Sequence, residues 1–126
     1  TPFEHRSFGE ELALCQRYFY NHVSNSTGAI VANGDFWSAS QTTGLINFPV
    51  TMRTTPSMIT ENGGTNYYSI YSATTEHTAS NAWTLFLPQV NCANIYITPN
   101  SNGTAGNATR IRTNNASAFI SFDSEL

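Results

Sequence analysis

Residues that could carry acid–base or nucleophilic chemistry are few in this chain. Its 126 residues include three histidines, two aspartates, six glutamates and two cysteines. Glu76 and His77 are the most reactive adjacent pair, but successive strand residues point to opposite faces of a sheet, which predicts a solvated loop or edge pair. His5 and His22 have no carboxylate neighbour in the local sequence, and we interpret them in the same way. We therefore expect no enzyme active site, no metal site and no cofactor.

The absence of known catalytic motifs from the sequence supports that expectation. The chain contains no G-x-S-x-G elbow, no H-E-x-x-H helix and no glycine-rich phosphate-binding loop. A glycan hydrolase is the enzyme alternative, and it would require two of the acids to face each other across a cleft, roughly 5–10 Å apart. With only eight acids in the chain, the hydrolase is the least favoured hypothesis, although the geometry leaves it open.

Aromatic residues form 13% of the chain and are a stronger signal. In the adjacent pairs Phe36-Trp37 and Tyr67-Tyr68, one ring of each pair must face away from the core if the segment is a strand. An exposed ring among amide and hydroxyl side chains suits sugar binding, because the ring stacks on a pyranose while the polar groups bond its hydroxyls. We predict a glycan-binding surface that includes Trp37, Tyr67, Tyr68 and Tyr71. Packing of these rings at a subunit interface is the alternative.

Composition excludes two classes of partner. Charged residues make up 10% of the chain, the net charge is -3, all five basic residues are arginine, and Asn, Ser and Thr form about a third of the sequence. No basic patch could follow a phosphate backbone, so we expect no nucleic-acid partner. No apolar run approaches the roughly 20 residues that cross a bilayer, so we expect no membrane insertion. Cys15 and Cys92 are compatible either with a disulfide or with two reduced thiols.

The elements that would position these residues are short strands. Ser7 and Glu10 have the spacing of a capping box, which predicts a short helical turn near 7–14. After it, runs rich in Val, Ile, Thr, Phe and Tyr recur between Asn, Gly, Pro and Ser, a pattern that predicts an all-β, jelly-roll-like antiparallel β-sandwich. The predicted strands are 16–23, 28–39, 43–53, 56–60, 66–73, 83–88, 92–98, 108–113 and 116–123.

Turn signals and the chain ends complete this interpretation. Asn33-Gly34-Asp35 predicts a tight hairpin, and 99–107, which lacks a large apolar side chain, predicts an exposed loop. We expect the run 119–126 to be a structural strand whose deletion abolishes folding, whereas trimming within 100–107 should be tolerated. The length predicts one domain over 1–126, and the start at Thr1 suggests a piece of a longer protein.

Three segments together resemble a known family. They are ELALCQRYF at 11–19, FPVTMRTTP at 48–56 and DSEL at 123–126. They resemble a C-terminal domain of phage and large-virus virion proteins, including fibre-like and head-decorating proteins, which is often preceded by a carbohydrate-binding module. The lead-in TPFEHRS at 1–7 is similar as well.

The resemblance implies a structural domain on the virion surface that is not an enzyme. It implies a jelly-roll sandwich that forms a homotrimer beside other virion structural proteins. Combined with the exposed aromatic and amide chemistry, it suggests adhesion to host or environmental glycans. A purely architectural role in trimerisation or capsid stabilisation, without ligand binding, is the alternative.

The same motifs suggest charge pairing. Arg17 and Arg53 are flanked by apolar and aromatic residues, and a buried arginine needs a carboxylate or carbonyl partner. Glu11, Asp123 and Glu125 lie in the same motifs and are the predicted partners. The alternative is that both arginines lie along the surface with their stems packed.

Overall fold

The first described element is a capped helix. The computed structural model describes residues 7–24, 26–61 and 64–125. Helix α1 spans Phe8–Gln16, and Ser7 is its N-cap: the Ser7 hydroxyl accepts from the Glu10 N–H while the Glu10 carboxylate accepts from the Ser7 N–H. The predicted capping box is therefore confirmed. The helix buries none of its side chains, and no helical segment in the described ranges is long and apolar enough to span a membrane.

Antiparallel strands form the rest of the fold. The strands are β1 (Phe19–Ser24), β2 (Ile30–Ser38), β3 (Gln41–Asn47), β4 (Ser57–Thr60), β5 (Tyr68–Ser72), β6 (Thr75–Ala79), β7 (Thr84–Phe86), β8 (Cys92–Ile97), β9 (Ala108–Thr113) and β10 (Phe119–Asp123). They form two sheets, ordered β1-β10-β4 and β6-β5-β9-β2-β3-β8-β7. This arrangement confirms the predicted all-β, sandwich-like class with a short N-terminal helix, while the jelly-roll connection stays a prediction.

Burial alternates along the seven-stranded sheet. In β8, Ala93, Ile95 and Ile97 are buried while Asn94 and Tyr96 are more exposed, and β3 and β9 show the same alternation. One face of this sheet therefore lines the core, and the other face, here called the outer face, meets solvent.

The three-stranded sheet is centred on β10. Ile120 and Phe122 of this strand are buried, and the Phe122 ring lies 4.9 Å from that of Phe48, centroid to centroid. One cluster of buried apolar side chains draws on both sheets: Val23, Val31, Ala32, Phe36, Ile46, Phe48, Met52, Tyr68, Ile70, Ala79, Trp83, Ala93, Ile95, Ile97, Ile111, Ala118, Ile120 and Phe122.

The predicted hairpin at 33–35 is wrong. Gly34 lies inside β2, opposite Gly44 of β3, and the chain reverses afterwards between Ser38 and Gln41. A Cβ atom at position 34 would lie 1.8 Å from the carbonyl oxygen of Thr43. Gly34 therefore permits close approach of two strands rather than a turn.

Two further segments differ from expectation. The strand β6, which contains Glu76 and His77, was not among the predicted strands, and residues after Asn47 leave the sheet earlier than expected. The loop 99–107 does connect β8 to β9 and is mostly exposed, but it is anchored. The Gly103 N–H donates to the Ala39 carbonyl at 2.8 Å. The Asn100 Nδ2 atom, which carries two hydrogens, lies within hydrogen-bond distance of three side-chain oxygens, those of Asn66, Thr78 and Ser80.

Candidate functional site

The three motif segments meet at one corner of the molecule. The carbonyl of Arg17 accepts hydrogen bonds from the Arg53 N–H at 2.8 Å and from the Ser124 hydroxyl at 2.6 Å. The carbonyl of Tyr18 accepts from the Ser124 N–H at 2.8 Å. Backbone groups after α1 thus accept hydrogen bonds from the segment after β3 and from the backbone and hydroxyl of Ser124 after β10, which ties the three segments together.

The predicted charge pairing is not what holds this corner. Arg17 and Arg53 are exposed, and within the described ranges neither has a carboxylate at ion-pair distance. The Arg53 guanidinium lies 5.7 Å from the centroid of the Tyr18 ring, and Asp123 accepts instead from the N–H of Glu125 at 2.8 Å. An exposed guanidinium keeps its hydration, so it does not require a carboxylate partner.

Tyr68 was predicted at the glycan surface, and this is wrong. Its side chain is fully buried, and its ring packs edge-on against Trp83 with the centroids 5.4 Å apart. The Tyr68 hydroxyl donates to one oxygen of Glu61, whose other oxygen accepts from the Phe119 N–H at 2.9 Å. Burial, followed by the hydrogen bond to the Glu61 carboxylate, raises the pKa of the Tyr68 hydroxyl well above its ordinary value.

The other predicted tyrosines separate from each other. Tyr67 is half-buried and packs against the core cluster, whereas Tyr71 lies half-buried on the outer face of β5. Trp37, the remaining predicted residue, is 71% exposed. Of the four candidates, therefore, only Trp37 and Tyr71 present rings on the outer face.

Trp37 belongs to an exposed aromatic patch. The aromatic patch, as we define it, consists of Trp37, Phe86 and Tyr96 together with Gln41 and Thr43, and it encloses a depression of about 240 Å³. The Phe86 and Tyr96 rings meet edge to face, with centroids 6.2 Å apart and an interplanar angle of 75°. Rings, an amide and a hydroxyl thus line one shallow site.

Local strand geometry positions each member of the patch. The β2–β3 register shifts between Phe36 and Ser38, and Trp37 lies at this irregularity while Phe36 enters the core. Thr43 pairs with Tyr96 across β3 and β8, so both side chains share the outer face. The Thr43 hydroxyl donates to the Asp35 carboxylate at 2.8 Å, which fixes the direction of the hydroxyl.

This arrangement of rings, amide and hydroxyl can bind a sugar. A flat ring face accommodates the apolar side of a pyranose, and the amide of Gln41 can both donate to and accept from sugar hydroxyls. Sequence reasoning missed Gln41, Thr43, Phe86 and Tyr96 as site residues. The period-two pattern around Tyr96, between buried Ile95 and Ile97, is the signal that could have found it.

His77 and His22 are each packed against, or hydrogen-bonded to, neighbouring residues of the protein. Glu76 and His77 lie on opposite faces of β6, which is an edge strand, as predicted. Glu76 is exposed, but His77 is buried, so the prediction that the pair is solvated is wrong for His77. Its Nδ1 atom lies 2.9 Å from the Ser101 hydroxyl, and its ring packs edge-on against Phe36. His22 is half-buried, with Nε2 2.6 Å from the Val31 carbonyl.

A second depression, of about 310 Å³, lies beside His77 where the β5–β6 turn meets the loop 99–107. Hydroxyl and amide side chains line most of it, among them Thr75, Asn102, Thr104 and Asn107. Without an acidic or basic partner for His77 in this lining, we assign it no chemistry.

Metal and disulfide chemistry find no support in the described ranges. No group of three or more His, Cys, Asp and Glu side chains there could hold a metal ion, and Cys15 and Cys92 are free thiols. His5 lies outside the residues that the structure describes. No protein-family model, no curated protein and no solved structure matches this chain.

Proposed function

We propose that this chain is a domain of the virion surface, in a fibre, spike or capsid decoration, that adheres to host or environmental glycans. The aromatic patch is the observation that supports glycan adhesion. The resemblance of the three motif segments supports the virion location. No catalytic step is assigned to the domain.

Exposure of the patch is not needed for folding. The core already contains Phe36, Tyr68 and Trp83, so the neighbouring Trp37 ring contributes little buried area to the folded state. Exposed apolar surface of this kind, bordered by polar side chains, is typical of a site that binds another molecule. The patch is shallow, which suits a sugar better than a small molecule that requires a deep, enclosing pocket.

A homotrimer would make such a shallow site effective. One pyranose on one patch binds weakly, because few of its atoms are desolvated. Three patches on one particle raise the overall avidity by mass action, without any new contact, when the glycan can reach more than one of them.

Replacement of Trp37 tests the proposal. We expect the intact protein to bind a subset of a glycan array and Trp37→Ala to lose that binding, with an affinity reduced about tenfold or more because the stacking surface is gone. Ile59→Ala is the matched control, since Ile59 is an exposed apolar residue, 43% exposed, that lies on β4 in the other sheet. If the intact oligomer binds no host-surface polysaccharide, the adhesion proposal is wrong.

An architectural role is the second candidate, and the exposed face of α1 favours it. Phe8 and Leu12 lie four residues apart on the helix, and both are exposed. An apolar helix face of this kind can pack against a second copy of the chain. This role would hold copies together even if the aromatic patch bound nothing.

A further inference from the structure

Two arginines share the outer face of a central strand. Arg110 and Arg112 flank the buried Ile111 in β9, so both side chains lie on the outer face. The strand runs between β5 and β2 in the seven-stranded sheet. Because the chain contains no lysine and only five arginines, this pair is a large share of its positive charge.

Arg112 is held in place by an aromatic ring rather than by an acid. Its guanidinium carbon lies 4.7 Å from the centroid of the Tyr71 ring, and its Nη2 donates to the Tyr71 hydroxyl. That hydroxyl donates in turn to Glu76 at 3.2 Å, and Glu76 also accepts from Ser69 at 2.9 Å. The stacked guanidinium is therefore oriented, and it retains N–H donors for another group.

Arg110 faces open space. It lines a depression of about 540 Å³ together with Asn33, Gly34 and Tyr71. No carboxylate in the described ranges lies at ion-pair distance from Arg110 or Arg112. A guanidinium without an acid partner, beside an open depression, can receive the two oxygens of an incoming carboxylate or sulfate.

Two acids also face this surface. Glu76 is engaged by Tyr71 and Ser69, and Asp35 is engaged by the hydroxyl of Thr43. Asp35 lies on β2, between the arginine pair and the aromatic patch, and it opposes the approach of an anion along that path. Removal of the negative charge of Asp35 should therefore strengthen the binding of an anion.

The arginine pair and the aromatic patch lie on the same outer face. Trp37 lies on β2, next to β9, and Tyr96 lies on β8, three strand spacings or roughly 14 Å from β9 across the sheet. A short oligosaccharide laid across the strands can reach both.

We propose that the outer face binds an acidic polysaccharide, with the aromatic patch stacking on sugar rings and Arg110 with Arg112 binding carboxylate or sulfate groups. This inference rests on the proposed glycan adhesion and names the class of glycan. Both anions present oxygens that match the guanidinium fork, so they share the recognition chemistry.

Binding to three polymers with one backbone tests the inference: dextran, carboxymethyl dextran and dextran sulfate. We expect the wild-type protein to bind at least one of the two acidic polymers about tenfold more tightly than dextran, an advantage that weakens as salt rises. The double variant R110Q/R112Q should lose this advantage. The matched control R17Q/R53Q changes the net charge by the same amount, at the corner where the three motif segments meet, and should keep the preference for acidic polymers. Far-UV circular dichroism should confirm that both variants are folded.

A third variant raises the affinity. Asp35→Asn keeps an acceptor for Thr43 but removes the negative charge, so we expect binding of the acidic polymers to strengthen about two- to fivefold while dextran binding is unchanged. Equal losses in the two double variants, or equal affinity for single-stranded DNA, would show a general cation effect and overturn the inference. If Trp37→Ala alone abolishes binding while R110Q/R112Q keeps the acidic preference, glycan adhesion stands and this inference is wrong.

Discussion

Tyr68 joins the two sheets at the scale of a single residue. Tyr68 lies in β5, and its hydroxyl donates to the Glu61 carboxylate. The same carboxylate accepts from the N–H of Phe119 in β10. Removal of the hydroxyl leaves a partly buried carboxylate oxygen without a donor. We therefore expect Tyr68→Phe to lower the free energy of unfolding by about 1–2 kcal/mol in urea titrations. Tyr96→Phe, on the exposed patch, is the control and should change it by less than about 0.5 kcal/mol.

Tyr68 also predicts an alkaline loss of stability. Its pKa is raised in the folded state above the ordinary value of 10.0, so the folded state holds the proton more tightly than the unfolded state does. The resulting stabilisation is fully present below pH 10 and decreases as pH rises above it. Urea unfolding at pH 8 and pH 11 should show this decrease, and Tyr68→Phe should show a smaller one. Some decrease will remain, because burial also raises the pKa of Tyr20.

At the scale of elements, β10 is the least dispensable strand. It pairs with both β1 and β4, and it contributes Ile120 and Phe122 to the core. Deletion of residues 119–126 exposes both neighbours and should abolish cooperative thermal unfolding. Deletion of 1–14 is the contrasting truncation, because α1 buries no side chain, and it should leave a cooperative transition. A truncated chain without β10 that still melted cooperatively would contradict this role.

Loop anchoring changes one expectation from sequence. Trimming within 100–107 was expected to be tolerated, but Asn100 and Gly103 tie the loop to neighbouring turns, and Gly103 lies against the ring of Phe36. Shortening this loop would release those contacts. Absence of large apolar side chains identified the loop correctly, whereas its hydrogen-bond partners lie far away in the sequence and could not be deduced.

For the whole molecule, the oligomeric state separates the two candidate roles. We expect light scattering to give a homotrimer, because several large apolar side chains on the domain are exposed. If the helix face forms the contact, Phe8→Ser with Leu12→Ser should give monomers, while Trp37→Ala stays trimeric. A stable wild-type monomer at micromolar concentration would show that the prediction of a homotrimer is wrong. Monomers from Trp37→Ala alone would place the aromatic patch inside the assembly and contradict its role in adhesion.

Local patterns in the sequence determined the class of the fold and several of its elements. The capping box at Ser7 and Glu10 needs only neighbouring groups, so it formed as predicted. Strand β9 has the predicted bounds, 108–113, because residues of alternating character define it without reference to a partner. The same alternation required one ring of Phe36 and Trp37 to face outward.

Tertiary structure alone decided which ring of each pair is buried and which residues meet. Register and sheet order choose the inner face, and both depend on pairing between distant segments. Tyr68 therefore entered the core although its sequence neighbours allowed either face, and Gly34 became a strand contact because β3 lies beside it. The aromatic patch combines β2, β3, β7 and β8, and Tyr71 meets Arg112 only because β5 pairs with β9. Such contacts are set by long-range packing, which a one-dimensional pattern does not contain.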